Sequence, residues 1–454
     1  MKRNSNFFLS MIDKFSCQIK SYDLKRELIP IYLFSAFLFL IIFIYGPSPT
    51  AGDTGTNFLA GSTLANGKLD ALRTPLYPLF LNFFKLISIN NIVVKLGMII
   101  FQYLIFCFSI YCFYRISNYF IKNRIIVFFI VMCYACHPAI LVWQKIIMTE
   151  SLALSGVVFF LFFIVRFLTT KKRIYSLLIN LFVFLLIMLR PGFLYLIPIV
   201  LIFWLYYIFK IKKDGLVGLT GIVIVLILVA GYSGIFQKQY GVFTLSTVSN
   251  INQYMILRDA GLIDTRNIEN IELKKTLTNT IQKKQSDSEY FDEYIYLYSK
   301  YGYVISDKFV KESIKINLFK YISYNIDRFC SETTTTSVGY WNGFNHNKYN
   351  HLIRMICVSF LLLYIFLILY LYFLIKNKFT FKSSIFIYSI AISSIIVLIV
   401  GAPNSWGRLI VPTIPVLLIM FGQYLDYLRL WSKKVDLIKN NNVLSGRTNT
   451  TIKF

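Results

Sequence analysis

"KKRIYSLLINLFVFLLIMLRPGFLYLIPIVLIFWLYYIFKIKK", residues 171–213, holds the pattern that decides the fold. Two apolar runs, 174–190 and 192–209, meet at Arg190-Pro191. A helix that crosses a bilayer needs about 20 mainly apolar residues, and both runs approach that length. Lys171, Lys172 and Arg173 precede the first run, and Lys210, Lys212 and Lys213 follow the second. The pattern predicts a helical hairpin across a membrane. Its basic ends lie on one side and the tight turn at "LRPG", 189–192, lies on the other.

The same pattern extends along the chain. Further apolar runs occur at 30–46, 91–114, 124–143, 150–168, 215–236, 352–375, 383–401 and 409–430. Together they predict about ten transmembrane helices. The composition agrees: of 454 residues, 57% are hydrophobic, 18% aromatic and 15% charged, with a mean hydropathy of +0.62. The chain reads as an all-α polytopic membrane protein. Residues 1–29 are mixed polar and basic, and no small-residue cleavage site follows the first run, so that run reads as an uncleaved span.

The net charge of +26 is the mark of a nucleic-acid binder in a soluble protein. Here the basic residues sit in short loops and tails, and no basic groove with interleaved aromatics is present, so no nucleic-acid partner is expected. Lys122, Arg124, the clusters at 171–173 and 210–213, and Lys376, Lys378 and Lys382 fall on one side of successive spans, with both termini. The positive-inside rule makes that side the cytoplasm. Seven cysteines are scattered, most within apolar runs where the thiol acts as a small hydrophobe. Cys133, Cys136 and His137 form a metal-like string, but they lie inside a span and lack a second pair, so a structural role is read and no metal ligands are assigned.

This topology divides the chain into a membrane core, 1–236, with a first outer loop at 47–88, and an extracytoplasmic, mainly helical domain at 237–351. C-terminal spans at 352–430 and a basic cytoplasmic tail at 431–454 complete it. The outer side also holds "QKIIMTE", 144–150, and "GAPNSWGR", 401–408. The rare charges converge there: Asp53, Asp70, Arg73, Lys145, Glu150, Arg190 and Arg408 all fall in outer loops or at outer helix ends. Charges near a membrane boundary are costly unless paired or functional. Their convergence predicts a polar hollow at headgroup depth.

That arrangement suits a lipid-linked phosphate donor, with its tail between helices and its phosphate at the headgroups. Arg73, Arg190 and Arg408, with Lys145, are the candidate phosphate-binding cations, and arginine offers a forked donor geometry. Asp53 is the candidate base, taking a proton from an attacking acceptor group. Glu150 opens a helix, where an acid also suits the helix dipole, and it is the second candidate acid. Pro75 and Pro78 predict that the first loop breaks into short segments on the membrane surface, with Tyr77 and Phe80 at the interface.

Four stretches carry a resemblance to a known family. They are "FLAGSTLANGKLDALRTPLYPLF" (58–80, following Asp53), "IIMTESLALSGVVFFLFF" (146–163), "LIMLRPGFLYLIPIVLIF" (186–203) and "WGRLIVPTIPVLLIMFGQYL" (406–425). In order and placement they resemble the GT-C clan of polytopic glycosyltransferases. The likeness is to the branch of protein O-mannosyltransferases and bacterial lipid A aminoarabinose transferases. The resemblance implies a GT-C-like bundle with a re-entrant first outer loop, in a bacterial inner membrane. It implies a polyprenyl-phosphate sugar as donor and an envelope lipid, glycan or protein as acceptor. It assigns Asp53 as the acceptor-activating base, Arg73 and Arg408 to the donor phosphate, and Glu150 to the acceptor or a metal. The chain departs from the clan at Asn57, where an aromatic is usual. No cofactor is required, and a divalent cation such as Mg²⁺ is allowed.

Two other readings use different residues. An O-antigen-type polymerase or ligase would rely on Arg258, Arg328 and His346 in the outer domain. A lipid or oligosaccharide transporter would place charges at mid-membrane in two related halves, and neither feature is visible. In the outer domain, Tyr77 of the first loop would be joined by Tyr340 and Trp341 as candidate sugar- or acceptor-contacting aromatics. Phe309, Ile314, Leu318 and Ile322 form an apparent apolar stripe at helical spacing.

Overall fold

The computed structural model describes residues 24–445 except 47, 51, 211, 267, 269, 282–286, 333–369, 371–381 and 402–410. Among the described residues every regular element is helical. Among the described residues seven helices are long and apolar enough to cross a membrane. The chain is a helical, multi-pass membrane protein. The described residues of the predicted runs at 30–46, 91–114, 124–143, 150–168, 174–190, 192–209, 215–236, 383–401 and 409–430 lie mainly on helix, with 409 and 410 outside the described residues. The run at 352–375 lies outside the described residues, Tyr370 excepted.

Helix α1 (Leu24–Tyr45) buries Leu28, Ile31, Ser35 and Ile42 at helical spacing and leaves Leu33, Phe37 and Ile44 exposed. The exposed apolar face is what a lipid-facing helix requires. Two short helices follow, α2 (Gly52–Ala65) and α3 (Leu76–Ile87), before α4 (Asn91–Phe120) crosses to the opposite end of the bundle. Pro75 and Pro78 sit at the start of α3, where a missing amide costs nothing. The first loop is therefore broken into short segments, as its prolines predict.

The return crossing is split. Helix α5 (Arg124–Cys136) stops at His137, and α6 (Pro138–Lys145) restarts at Pro138. His137 Nδ1 accepts the amide of Ala139, so the imidazole serves as a helix cap beside Cys136. Helix α7 (Thr149–Thr170) is buried along most of its length and forms the centre of the bundle. It ends at Lys171, the one described non-glycine residue in the left-handed region (φ 54°). Helix α8 (Arg173–Leu189) returns, and Pro191 opens a short 3-10 turn (Pro191–Tyr195) leading into α9 (Leu196–Lys210).

Helix α10 (Lys212–Tyr240) packs closely on α8 and α9 because Gly218 and Gly221 carry no side chain. A Cβ at Gly218 would lie 2.2 Å from the Trp204 ring, and one at Gly221 would lie 2.2 Å from the Asn180 amide. Asn180 donates to the Gly218 carbonyl and accepts from the Trp204 indole. With 29 residues, α10 is about 44 Å long, more than the ~30 Å hydrocarbon thickness. Its last turns lead into the next domain.

That domain comprises α11 (Val248–Asp259), α12 (Ile271–Ile281), α13 (Asp287–Tyr301), α14 (Tyr303–Ile316) and α15 (Leu318–Glu332). It has its own core, with Tyr254, Leu257, Leu273, Leu277, Tyr290, Tyr294 and Phe309 among its members. The predicted stripe through Phe309, Ile314, Leu318 and Ile322 is corrected here. Asn317 ends α14, so α15 starts on a new axis and buries Tyr321 and Asn325, leaving Leu318 and Ile322 exposed. Helices α16 (Lys382–Gly401) and α17 (Ile414–Ser445) complete the described chain. At the opposite end of the bundle, Asp426 of α17 accepts the Lys122 amide and lies beside Arg429.

Candidate functional site

The first loop assembles an ion pair from its own sequence. Asp53 sits in the first turn of α2, where a carboxylate suits the helix dipole. In "DALR", Oδ1 of Asp70 accepts the amides of Leu72 and Arg73 at 2.9 and 2.8 Å. This turn brings the chain back over α2. Arg73 Nη2 then lies 2.6 Å from Asp53 Oδ1, and Arg73 Nε donates to Thr56 Oγ1 at 3.0 Å. Thr56 in turn donates to the Asp53 carbonyl at 2.9 Å. Asn57 donates to the same carbonyl at 2.9 Å. The Arg73 and Asp53 side chains are 21% and 29% exposed, so a solute can reach the pair.

A second pair forms where the Arg-Pro turn meets α7. Pro191 cannot continue α8, so Arg190 is held extended at its end. Its Nη1 lies 3.7 Å from Oε1 of Glu150, in the first turn of α7. The Glu150 side chain is only 1% exposed, and burying a charge demands such a partner.

The two pairs lie at the same end of the bundle, and backbone contacts join their supports. The Thr54 hydroxyl donates to the Ile147 carbonyl at 3.1 Å, and the Ile147 amide donates to the Pro49 carbonyl at 2.9 Å. Beneath them runs a buried polar chain. The Tyr77 hydroxyl donates to Gln102 at 2.8 Å, Gln102 donates to the carbonyls of Gln144 and Ile146, and Ser151 donates to Gln144.

Two of the candidate site residues are engaged elsewhere in this geometry. Lys145 is buried, and its amine donates to the carbonyls of Ile42 and Gly46 at 3.2 and 3.0 Å. It closes the end of α1. Tyr77 is buried with its hydroxyl committed to Gln102, so its ring offers no face to a sugar. The remaining predicted residues Arg408, Tyr340 and Trp341 lie outside the described residues, as does His346.

The outer domain is fastened to the first loop just before Arg73. Gln239 exchanges hydrogen bonds with both backbone groups of Leu69, and Tyr240 donates to the Leu69 carbonyl at 2.6 Å. Thr247 donates its amide and its hydroxyl to the Ala71 carbonyl at 2.8 and 2.9 Å. Leu72 packs on the domain core.

Arg258 and Arg328 serve that domain internally. Arg258 pairs with Glu293 at 3.0 Å and donates to the Thr280 carbonyl, with both charged side chains largely buried. Its pKa is raised: burial alone would lower it, and the bonds to Glu293 outweigh that. Arg328 pairs with Asp259 at 3.1 Å.

Sequence reading missed Thr54, Thr56, Gln102, Gln239 and Thr247, all neutral groups whose partners are distant in the chain. Asp70 was visible as a charge, and the D-x-x-R spacing was the available sign of its turn. Among the described residues no group of three or more His, Cys, Asp or Glu side chains gathers as a metal site would require.

The geometry defines a helical membrane protein with paired acids and arginines at one end of its bundle. No family model matches the chain, and no curated protein matches it significantly.

Proposed function

We propose that this protein is a membrane glycosyltransferase of the GT-C kind. It moves a sugar from a polyprenyl-phosphate donor to a lipid, glycan or protein acceptor of the cell envelope. The reaction takes place on the extracytoplasmic face of a bacterial inner membrane, with both termini in the cytoplasm. The observation that carries this reading is the Asp53–Arg73 pair in the first loop, reachable from solvent and tied through Thr54 to the segment bearing Glu150 and Arg190.

In this reading Arg73 meets the donor phosphate and Asp53 takes the acceptor proton. Glu150 holds Arg190 in place at the turn. Arg408 is a further phosphate ligand carried by the resemblance. Inversion at the anomeric carbon by single displacement is expected. Arg258 and Arg328, which a polymerase or ligase would use, are committed to Glu293 and Asp259, and that favours the transferase.

The test supplies purified, reconstituted protein with two radiolabelled donors, a polyprenyl-monophosphate sugar and a polyprenyl-diphosphate oligosaccharide. Covalent transfer from the monophosphate donor is expected. Transfer from the diphosphate donor alone returns the reading to the polymerase or ligase. Movement of lipid or sugar across the bilayer with no covalent product returns it to a transporter.

A further inference from the structure

We infer that α15 rests the outer domain on the lipid: Leu318, Phe319, Ile322 and Ile326 enter the boundary between headgroups and acyl chains on the side that bears this domain. The contact requires only a membrane-spanning chain, whatever chemistry the protein performs.

Helix α15 has 15 residues and three sides. At 3.6 residues per turn, Tyr321, Tyr324, Asn325 and Arg328 share one of them. That side belongs to the domain: Tyr321 and Asn325 are buried, and the Tyr324 hydroxyl and Arg328 both meet Asp259 of α11. Lys320, Ser323 and Asp327 are exposed on a second side. Between the two, Leu318, Phe319, Ile322 and Ile326 fall within an arc of about 100°. All four are exposed, Phe319 at 87%.

A single exposed apolar side chain is ordinary on any protein, whereas four in register on one helix mark a contact surface. The neighbours of α15 say what it contacts. The domain is fastened to the first loop at Leu69 and Ala71, at the end of the bundle that holds both ion pairs. There α15 packs against α16, which is apolar along Ile385–Val397. A Cβ at Gly192, in the Arg-Pro turn, would lie 4.0 Å from Val397, so the apolar stretch of α16 reaches this same end. Beside Val397, Ile396 is exposed as a lipid-facing residue is. The open face of α15 continues that apolar surface onto the domain. Lys315 and Lys320 are exposed and bracket Ile316, Leu318 and Phe319 in sequence. Lysine on its long stem suits headgroup phosphates at the edge of an apolar layer. Phe, Leu and Ile on one face with Lys beside them is the composition of a helix lying in the interface plane.

The test puts the photocrosslinking amino acid p-benzoyl-phenylalanine in place of Phe319, and separately in place of Asp327. Each full chain is reconstituted into vesicles of phosphatidylethanolamine and phosphatidylglycerol and irradiated. Mass spectrometry of the intact chain and of its peptides then identifies what each position has joined. Ile322 is replaced in the same way should the Phe319 variant insert poorly.

The peptide holding position 319 is expected to gain the mass of one phospholipid, and the peptide of the Asp327 variant is not. A crosslink from 319 to another segment of the same chain shows that the protein covers this face itself and overturns the membrane contact. A product of twice the chain's mass assigns the face to a second copy and overturns it as well. Equal lipid labelling at 319 and 327 removes the distinction between the two sides of α15 and overturns the proposed orientation. No adduct at either 319 or 322 means that water covers the face, and the contact is then rejected.

Discussion

The Thr54 hydroxyl donates to the Ile147 carbonyl at 3.1 Å, joining the helix that carries Asp53 to the segment that leads into Glu150. Both groups are buried. Thr54→Val keeps the shape and removes the donor, leaving the carbonyl unpaired at a cost of about 1–3 kcal/mol. Sugar transfer should fall by about tenfold or more, because small displacements of reacting groups are expensive. Donor turnover and unfolding, measured side by side, check this. Unchanged turnover with the expected loss of stability would separate the first-loop helix from the chemistry.

Gln239 holds Leu69 through both of its backbone groups. Gln239→Leu should raise amide exchange across residues 68–73, while the core of the outer domain stays protected. Exchange followed by mass spectrometry reads the two regions separately. Protection retained at Leu69 would show that Tyr240 and Thr247 hold the loop without it.

Arg258 and Glu293 form a buried pair in the outer domain. Removing one partner of such a pair costs about 3–5 kcal/mol, because the other is left as an unpaired buried charge. Arg258→Met should lose that much, and Arg258→Met with Glu293→Gln should recover part of it. The unfolding of the single and double variants gives the coupling directly. A single variant of wild-type stability would mean that Glu293 finds another partner.

The same domain should weaken in alkali. Burial pushes the Tyr321 phenol up to about 12, and burial together with the neighbouring Glu293 holds the Tyr254 phenol well above its usual value. A phenol whose folded value is raised contributes stability that is whole below about pH 10. That contribution is lost as pH rises through the folded value, so for Tyr321 the window is pH 10 to 12. Tyr321→Phe and Tyr254→Phe should each flatten the alkaline decline in stability, which isolates them among the 32 tyrosines of the chain. A decline of unchanged slope in both variants would assign it elsewhere.

Hydropathy made the long apolar helices legible, because lipid imposes a length and a composition on each span. The break at His137 was less visible: Pro138 marked it, but the apolar run passes straight through. The pairs Asp53–Arg73 and Glu150–Arg190 lay among residues singled out by scarcity of charge. Scarcity did not show which charges also serve the backbone, as Lys145 does. The burial of Tyr77 was not legible, because an aromatic beside prolines suits an interface equally well and its partner Gln102 lies on another helix. The fastening of the outer domain to Leu69 and Ala71 had no periodic signal at all. It depends on single side chains of Gln239, Tyr240 and Thr247 reaching backbone groups far away in the chain.

The central claim is tested most directly by the rate of sugar transfer from a polyprenyl-monophosphate donor in Asp53→Asn. A general base contributes about 10²–10⁴-fold, and the account predicts a loss in that range from a protein that still folds and inserts. Turnover within a few-fold of wild type would contradict it.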